Sequence, residues 1–322
     1  MPLSPLVIVS DVDGTLLDCH GQWFTAPVLL RQQLRTLSQR MLGELIVVLA
    51  SSRTIDELIA LQRSLGIRGP CIGEDGAVVA IDAPIDARAL EYATRQRADR
   101  GIVHIEEITR GRRTLTLLRL GAPTSAIRQQ LRAWPSMTAD LAGASASRLE
   151  SLGFRTRRHQ QRALFARRGS VLLDPVQWRA NQLVAGRVPL CDALDIVSGG
   201  RWLTATMGAG KGPASEFLRA YINGATSTPC HVVGIGDGAN DESLLRAVDL
   251  PFGVPDATGR IHPVLREIPR LVALHVDRTA WPVMLTQLSS RRSLTPGDTN
   301  TFAAVAATSS RGGDTHAPEQ SL

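Results

Sequence analysis

The chain contains little lysine, cysteine or aromatic residue. Of its 322 residues 36 are basic, and Lys211 is the single lysine among them; four residues are cysteine and 4% are aromatic. The cysteines are scattered without Cys-x-x-Cys spacing, which argues against structural disulfides or a zinc site and favours a reducing, cytoplasmic location. No apolar run approaches the roughly 18–20 residues that span a bilayer, and no signal pattern comes before the first apolar stretch, so we expect no membrane association.

The net charge of +6 is unevenly distributed along the chain. Residues 85–196 hold 19 arginines against 10 acidic residues, a balance of +9 that leaves −3 for the rest. Surfaces that bind nucleic acids usually interleave aromatic with basic residues, and this chain has few aromatics. The basic run at 155–158, taken alone, is more typical of a solvated face. We therefore expect a small, multiply anionic partner between a basic segment and an acidic core, and no nucleic acid.

An apolar, strand-like run near the start of the chain ends in two carboxylates. Residues 6–9 lead through Ser10 into Asp-Val-Asp-Gly-Thr at 11–15. Side chains alternate along a strand, so Asp11 and Asp13 project the same way and repel each other unless a cation lies between them. Ligands of open α/β folds bind at this end of the parallel strands. The pair alone is more typical of a surface Asp-Gly turn, and the motifs further along the chain decide against that interpretation.

Three more polar motifs occur further along the chain, two of them directly after predicted strands. A strand over 45–50 ends in Ser-Ser-Arg-Thr at 51–54, where hydroxyls and free N–H groups precede a helix and form an anion site. Lys211 lies in a glycine-rich turn before a helix predicted over 213–222. A strand over 231–235 ends in Gly-Asp-Gly-Ala-Asn-Asp at 236–241. Each motif is weak alone, but all four occur in order at strand-to-helix turns.

Together these motifs resemble the four motifs of the haloacid dehalogenase-like (HAD) phosphohydrolases, over roughly residues 5–290. Glu-Asp-Gly-Ala at 74–77 resembles the Glu-Asn-Gly-Ala of the capped, Cof- and sucrose-phosphatase-like branch, with Asp75 in place of asparagine. Ser-Ser at 51–52 and the stretch from Gly-Arg-Trp-Leu at 200–203 to Gly-Lys-Gly at 210–212 are similar to the mannosyl-3-phosphoglycerate phosphatases.

The resemblance implies an α/β fold, a Rossmann-like parallel sheet with an inserted α+β cap. We expect core segments at 1–84 and 197–290, a cap at 85–196, and a disordered tail at 291–322, where Ser, Thr, Gly and Pro prevail. Within the cap the pattern predicts strands and helices; the strands are expected at 112–120, 162–166 and 171–173, and the helices at 125–134 and 176–184.

The resemblance also implies a Mg²⁺ site with oxygen ligands only, as this ion prefers. The ligands would be the Asp11 carboxylate, the main-chain carbonyl of Asp13, and Asp237. Asp241 would support the site from behind, and Asn240 would orient Asp241 or Lys211.

Four residues would carry the chemistry that the resemblance implies. Asp11 would attack phosphorus and form an aspartyl-phosphate. Asp13 would protonate the leaving oxygen and then deprotonate water, with its pKa raised by partial burial beside other carboxylates. Ser51 would donate its hydroxyl to a phosphoryl oxygen, and Lys211 would neutralise charge on the phosphoryl group and on Asp11.

Substrate contacts are expected from Ser52, Arg53 and Glu74 after the core strands, and from Arg168 or its neighbour Arg167 in the cap. A cap arginine suits a substrate carboxylate through a bidentate pair, and a solvated role is equally open. The favoured function is a Mg²⁺-dependent phosphatase acting on a glycosyl phosphoglycerate, mannosyl-3-phosphoglycerate first. Alternatives are another sugar or polyol phosphatase, a phosphomutase, or, from another class, a non-catalytic protein that binds phosphosugars or nucleic acid.

Overall fold

The computed structural model describes most of the chain apart from its ends and several cap segments. The described residues are 4–41, 44–96, 104–132, 140–151, 154–156, 158–160, 164, 166–176, 194–199, 202–274 and 279–290. The expected tail at 291–322 lies outside them, as do most of the strand expected at 162–166 and the helix expected at 176–184. None of the described helices is long and apolar enough to cross a membrane.

Strands and helices alternate through much of the chain. The strands are β1 Leu6–Ser10, β2 Leu45–Ala50, β3 Cys71–Gly73, β4 Val78–Asp82, β5 His104–Arg110, β6 Arg113–Arg119, β7 Ser170–Leu173, β8 Leu194–Gly199, β9 Trp202–Met207, β10 His231–Gly236, β11 Leu250–Gly253 and β12 Val272–Ala273. The α-helices are α1 Pro27–Arg40, α2 Ile55–Leu65, α3 Ala87–Gln96, α4 Thr124–Arg132, α5 Ala146–Ser151, α6 Lys211–Thr226, α7 Glu242–Arg246, α8 Pro263–Arg266 and α9 Ala280–Ser289.

A nine-stranded sheet forms the centre of the molecule, in the order β12-β11-β10-β1-β2-β3-β4-β6-β5. The strands from β12 to β3 pair in parallel, whereas β4, β6 and β5 add antiparallel pairs. Parallel strands are buried on both faces and therefore read as continuous apolar runs, as β1 does. Helices α1, α2 and α9 pack on one face, and α3 and α6 pack on the other. The expected α/β fold is confirmed.

A second, antiparallel sheet has three strands in the order β7-β9-β8. We refer to this sheet, with helices α4 and α5 and the loops between them, as the cap. Helix α4 covers one face of the sheet, where Ile127 and Leu131 pack against Val171 and Ala205.

The two sheets divide the chain differently from the expected boundaries at 85 and 196. Strands β5 and β6 lie in the segment expected to form the cap, yet β6 pairs with β4 in the central sheet and buries Leu115, Leu117 and Leu118. Strand β9 lies beyond residue 196 and completes the cap sheet. Because strand partners are chosen over long sequence separations, the local pattern does not reveal which sheet a strand joins. The change of sheet falls near residues 120 and 208.

The fold brings the ends of three strands side by side. Strand β1 pairs with β10 on one side and with β2 on the other. All three are parallel, so the residues that follow them meet at one edge of the sheet. Helix α2 begins there with a capping box, in which the Thr54 main chain and hydroxyl both bond to Glu57.

Candidate active site

Three buried charged residues, Asp11, Lys211 and Asp241, meet at this edge. Asp11 directly follows β1, and its N–H donates to the carbonyl of Ile235 at 2.9 Å, which fixes it beside β10. The Lys211 ammonium donates to Asp11 Oδ1 and to Asp241 Oδ1, both at 2.6 Å. Asp11, Lys211 and Asp241 are 3%, 1% and 0% exposed. The lysine at the start of α6 therefore joins the first and last motifs through a single cation.

Asp237 completes the group that we call the core cluster: Asp11, Lys211, Asp237 and Asp241. Carboxylate oxygens of Asp11, Asp237 and Asp241 lie within 4.8 Å of one another. The other oxygen of Asp241 accepts from the N–H groups of Asp237 and Gly238, each at 3.1 Å. This engagement of Asp241 with Lys211 and the main chain fits the expected supporting role.

Gly14 allows the close approach of β1 and β10 at the site. Its φ is +92°, and a Cβ added there would lie 2.1 Å from Asp237 Oδ2. A side chain at this position would therefore displace Asp237 and strain the backbone. The next residue, Thr15, donates its hydroxyl to Asp237 Oδ1 at 3.0 Å. Thr15 was not among the expected site residues, and its place directly after Asp-x-Asp-Gly was the available signal.

The pKa values of two carboxyl groups of the core cluster, Asp11 and Asp237, are raised. Burial, followed by the charge of Asp241, raises the pKa of Asp11 well above its usual range although Lys211 opposes this. The same two causes raise the pKa of Asp237 to about 7. Burial alone would lower the pKa of Lys211, but Asp11 and Asp241 raise it well above its usual value.

This electrostatic balance fits a divalent cation. Three carboxylates share one ammonium, so negative charge is in excess, and a bound cation would favour the ionised carboxylates. The donors are all oxygens, with no histidine or cysteine in the group. Such a set suits Mg²⁺ better than zinc.

Asp13 does not lie among the other carboxylates, contrary to the expected burial. Its side chain is 43% exposed and forms a two-point ion pair with Arg53, at 2.8 Å from Nε and 2.5 Å from Nη2. Burial would lower the pKa of Arg53, but the bond and charge of Asp13 raise it overall. The alternation that sends Asp11 and Asp13 the same way ends with β1 at Ser10, and the turn directs Asp13 to the residue expected to bind substrate.

Ser51 and Ser52 lie where β2 turns into α2. Ser51 is 1% exposed, and its hydroxyl accepts from the Arg53 N–H at 3.2 Å. Ser52 offers its main-chain carbonyl to the guanidinium of Arg167 at 2.9 Å. Asn240 lies in the turn of the last motif, but no described contact joins its side chain to Asp241 or Lys211, so its orienting role stays a prediction.

Glu74 and Arg168 meet each other across the boundary between cap and core. The Glu74 carboxylate is fully buried and accepts from the N–H groups of Arg168 and Gly169 and from the Ser170 hydroxyl, at 2.9–3.0 Å. The Arg168 guanidinium lies 3.3 Å from Glu106 and also donates to the Ala166 carbonyl. Both residues were expected to contact substrate, and the structure places them in contact with protein groups.

Further contacts between cap loops and core were not expected from the sequence. The Arg155 guanidinium donates to the His20 carbonyl at 3.0 Å, and His159 Nε2 lies 3.5 Å from Glu57 Oε1. Arg167 is buried and bonds the Ser170 hydroxyl at 2.6 Å as well as Ser52. We use the name cap contacts for the bonds that join cap and core through Arg155, His159, Arg167 and Arg168 on the cap side and through His20, Ser52, Glu57 and Glu74 on the core side.

Comparison with known proteins gives matches to the core and to the whole described fold. Residues 8–99 match the model of a family described as haloacid dehalogenase-like hydrolase. The structure is similar to a Thermoplasma acidophilum protein (TM-score 0.55, 16% identity, covering 89% of this chain and 99% of that one). It is also similar to a Thermotoga maritima protein (TM-score 0.56, 14% identity, covering 89% of this chain and 98% of that one). A Streptococcus mutans protein is similar as well (TM-score 0.55, 16% identity, covering 88% of this chain and 99% of that one). Residues 8–99 are thus similar to the haloacid dehalogenase-like hydrolase family, and the described chain shares its fold with these three proteins.

Proposed function

We propose that the protein is a Mg²⁺-dependent phosphatase that hydrolyses a phosphate monoester through an aspartyl-phosphate on Asp11. The observation that carries this proposal is the core cluster, in which the single lysine of the chain bonds the candidate nucleophile at 2.6 Å beside two further carboxylates. A dianionic phosphate is repelled by a carboxylate nucleophile, so such a site needs positive charge. Lys211 supplies part of it.

Asp11, Asp237 and the main-chain carbonyl of Asp13 would hold the metal ion, with Asp241 behind them. When bound, the ion supplies positive charge that polarises the phosphoryl group and keeps the carboxylates ionised. Lys211 holds Asp11 in place and stabilises negative charge on the transferring phosphoryl oxygens, and Ser51 donates its hydroxyl to one of them.

Two residues carry the two chemical steps: Asp11 is the nucleophile, and Asp13 is the general acid in the first step and the general base in the second. In the first, an Asp11 oxygen bonds to phosphorus while the bond to the leaving oxygen breaks, and Asp13 gives that oxygen its proton. In the second, Asp13 takes a proton from water, the water oxygen bonds to phosphorus, and the bond to Asp11 breaks. The exposure of Asp13 suits a group that must reach a leaving group and a water molecule, and Arg53 fixes its orientation.

For the substrate, we propose a phosphorylated sugar-type metabolite, mannosyl-3-phosphoglycerate first. The resemblance of the motifs and the +9 charge balance of residues 85–196 support an anionic leaving group. Another sugar or polyol phosphate and a phosphomutase reaction remain alternatives, because the core motifs serve all of them. A cytoplasmic location belongs to the same proposal, in line with free thiols at two described cysteines, Cys71 and Cys230.

The test is phosphate release from a panel of phosphorylated metabolites, with Mg²⁺ and after exhaustive treatment with EDTA. We expect release that stops on chelation and returns with Mg²⁺, and mannosyl-3-phosphoglycerate among the best substrates. Full activity in EDTA would contradict the metal assignment, and a better neutral hexose phosphate would contradict the substrate. Turnover that requires a sugar bisphosphate would show a mutase.

A further inference from the structure

A buried carboxyl group in the candidate site has no partner. Asp75 is 4% exposed, and neither of its carboxylate oxygens forms a hydrogen bond with any described residue. Its φ of +54° places it in the left-handed region, which aspartate and asparagine tolerate better than most residues. Buried polar groups are nearly always bonded, so this side chain calls for a partner from outside the chain.

A second unpartnered polar group lies opposite, on the cap. Thr204 is fully buried on β9, the middle strand of the cap sheet, and its hydroxyl also lacks a partner among the described residues. Leu203, Ala205 and Met207 of the same strand pack with the apolar cluster under α4, so Thr204 faces the other way. The Thr204 hydroxyl lies near the Asp75 carboxylate and lowers the pKa of Asp75, but the two side chains form no hydrogen bond of normal length and angle.

The pair lies beside the core cluster. Asp75 belongs to a turn that packs on the start of α6, where a Cβ on Gly76 would lie 2.1 Å from the Gly210 carbonyl carbon. Burial raises the pKa of Asp75, while the nearby Lys211 ammonium lowers it. Lys211 is thus near Asp75 and also bonds Asp11, the proposed nucleophile, which places Asp75 in the neighbourhood of the proposed reaction centre.

Resting on the proposed phosphatase function, we propose that Asp75 and Thr204 form a specificity pair that binds a hydroxyl group of the leaving group between core and cap. One hydroxyl satisfies both residues, because it donates to the Asp75 carboxylate and accepts from Thr204. A carboxylate in the same place would face Asp75 and be repelled. The pair therefore selects sugars and polyols by a hydroxyl at this point, and any anionic group of the substrate must lie elsewhere.

The experiment compares kcat/KM for three small phosphate monoesters. They are glycerol 3-phosphate, propyl phosphate, which lacks both of its free hydroxyls, and 3-phosphoglycerate, in which a carboxylate replaces the terminal hydroxymethyl group. Thr204→Val keeps the shape but removes the hydroxyl, and we expect the preference for glycerol 3-phosphate over propyl phosphate to fall about tenfold. Asp75→Asn keeps the left-handed turn and removes the charge, and we expect kcat/KM for 3-phosphoglycerate relative to glycerol 3-phosphate to rise about tenfold. Thr116→Val is the matched control, since Thr116 is a buried, unpartnered threonine on β6 of the central sheet.

Ratios within twofold of the wild type in both variants would overturn the proposal, as would an equal change in Thr116→Val. Calorimetry then gives the dissociation constants of the same three probes, and their ratios are compared between variants. For this measurement the Asp75 and Thr204 variants are made in an Asp11→Asn background. If the wild type releases phosphate neither from these probes nor from the metabolite panel, the phosphatase proposal fails, but the binding ratios still decide the role of Asp75 and Thr204.

Discussion

The core cluster and the cap contacts use buried charge in opposite ways. In the core cluster three carboxylates share one ammonium, so the group holds excess negative charge and the pKa values of Asp11 and Asp237 are raised. In the cap contacts the buried charged groups are hydrogen-bonded to neutral protein groups. Glu74 accepts from two N–H groups and a hydroxyl, and Arg167 donates to a hydroxyl and a carbonyl. An unbalanced cluster is suited to a charged ligand, whereas a satisfied one is suited to holding two parts of the chain together.

The largest effect should come from removing the nucleophile. Asp11→Asn keeps the shape of the side chain but cannot form an aspartyl-phosphate, so we expect kcat to fall by about four orders of magnitude. The variant should unfold at nearly the same temperature as the wild type. Phosphate release measures kcat, and a thermal unfolding curve measures the unfolding temperature. Glu91→Gln on the exposed face of α3 is the control. Turnover by Asp11→Asn at the wild-type rate would contradict the assignment of Asp11 as the nucleophile and, with it, the catalytic role of the core cluster.

Acid should weaken the cap contacts through Glu57. Burial would raise the pKa of this carboxyl, but the bond with His159 and the charge of Arg53 lower it to about 2. A carboxyl group whose pKa is lower in the folded state stabilises the protein at pH values above its unfolded-state pKa, which for Glu57 is 4.5. This stability is lost as the pH falls toward 2. We expect the free energy of unfolding of the wild type, relative to Glu57→Gln, to fall by about 2–3 kcal/mol between pH 5 and 2.5 in urea titrations. A difference that stays constant with pH would show that Glu57 has no lowered pKa.

Glu74→Gln should loosen the cap without changing the chemistry directly. Glutamine offers one acceptor where Glu74 receives two N–H groups and a hydroxyl, so one or more buried donors would lose a partner. We expect a loss of about 2 kcal/mol in the free energy of unfolding and faster proteolysis within the cap. Glu44→Gln, at an exposed position, is the control. If Glu74 binds substrate instead, KM will rise while stability and proteolysis stay unchanged.

The smallest effect should come from Arg53→Lys. Lysine keeps the charge but cannot form the two-point bond with Asp13, so we expect kcat to fall about tenfold with little change in KM. The pH profile of kcat should shift, because Asp13 is the proposed proton donor. Arg112→Lys, in an exposed turn, is the control. A rise in KM with an unchanged pH profile would return Arg53 to the role of a substrate contact.

Local structure at the site was predictable from the sequence. Strand β2 has the expected bounds, helix α2 follows Ser-Ser-Arg-Thr as expected, and β1 extends one residue beyond the expected strand. The order of four polar motifs, three of them directly after predicted strands, was enough to expect Asp11, Lys211, Asp237 and Asp241 in one place. Asp11 and Asp237 come together because the carboxyl ends of the neighbouring parallel strands β1 and β10 meet at one edge of the sheet, whereas Lys211 reaches them from the start of α6.

Local pattern and residue type were enough to indicate β1, β2, α2 and β10 and the residues that can carry charge-based chemistry. Tertiary structure alone decided that β6 joins the central sheet, that Asp13 turns to Arg53, and that Glu74 receives the main chain of Arg168. Each of these is a pairing between segments far apart in the chain. Its partner is selected by packing and by the need to satisfy buried polar groups, which no local pattern records.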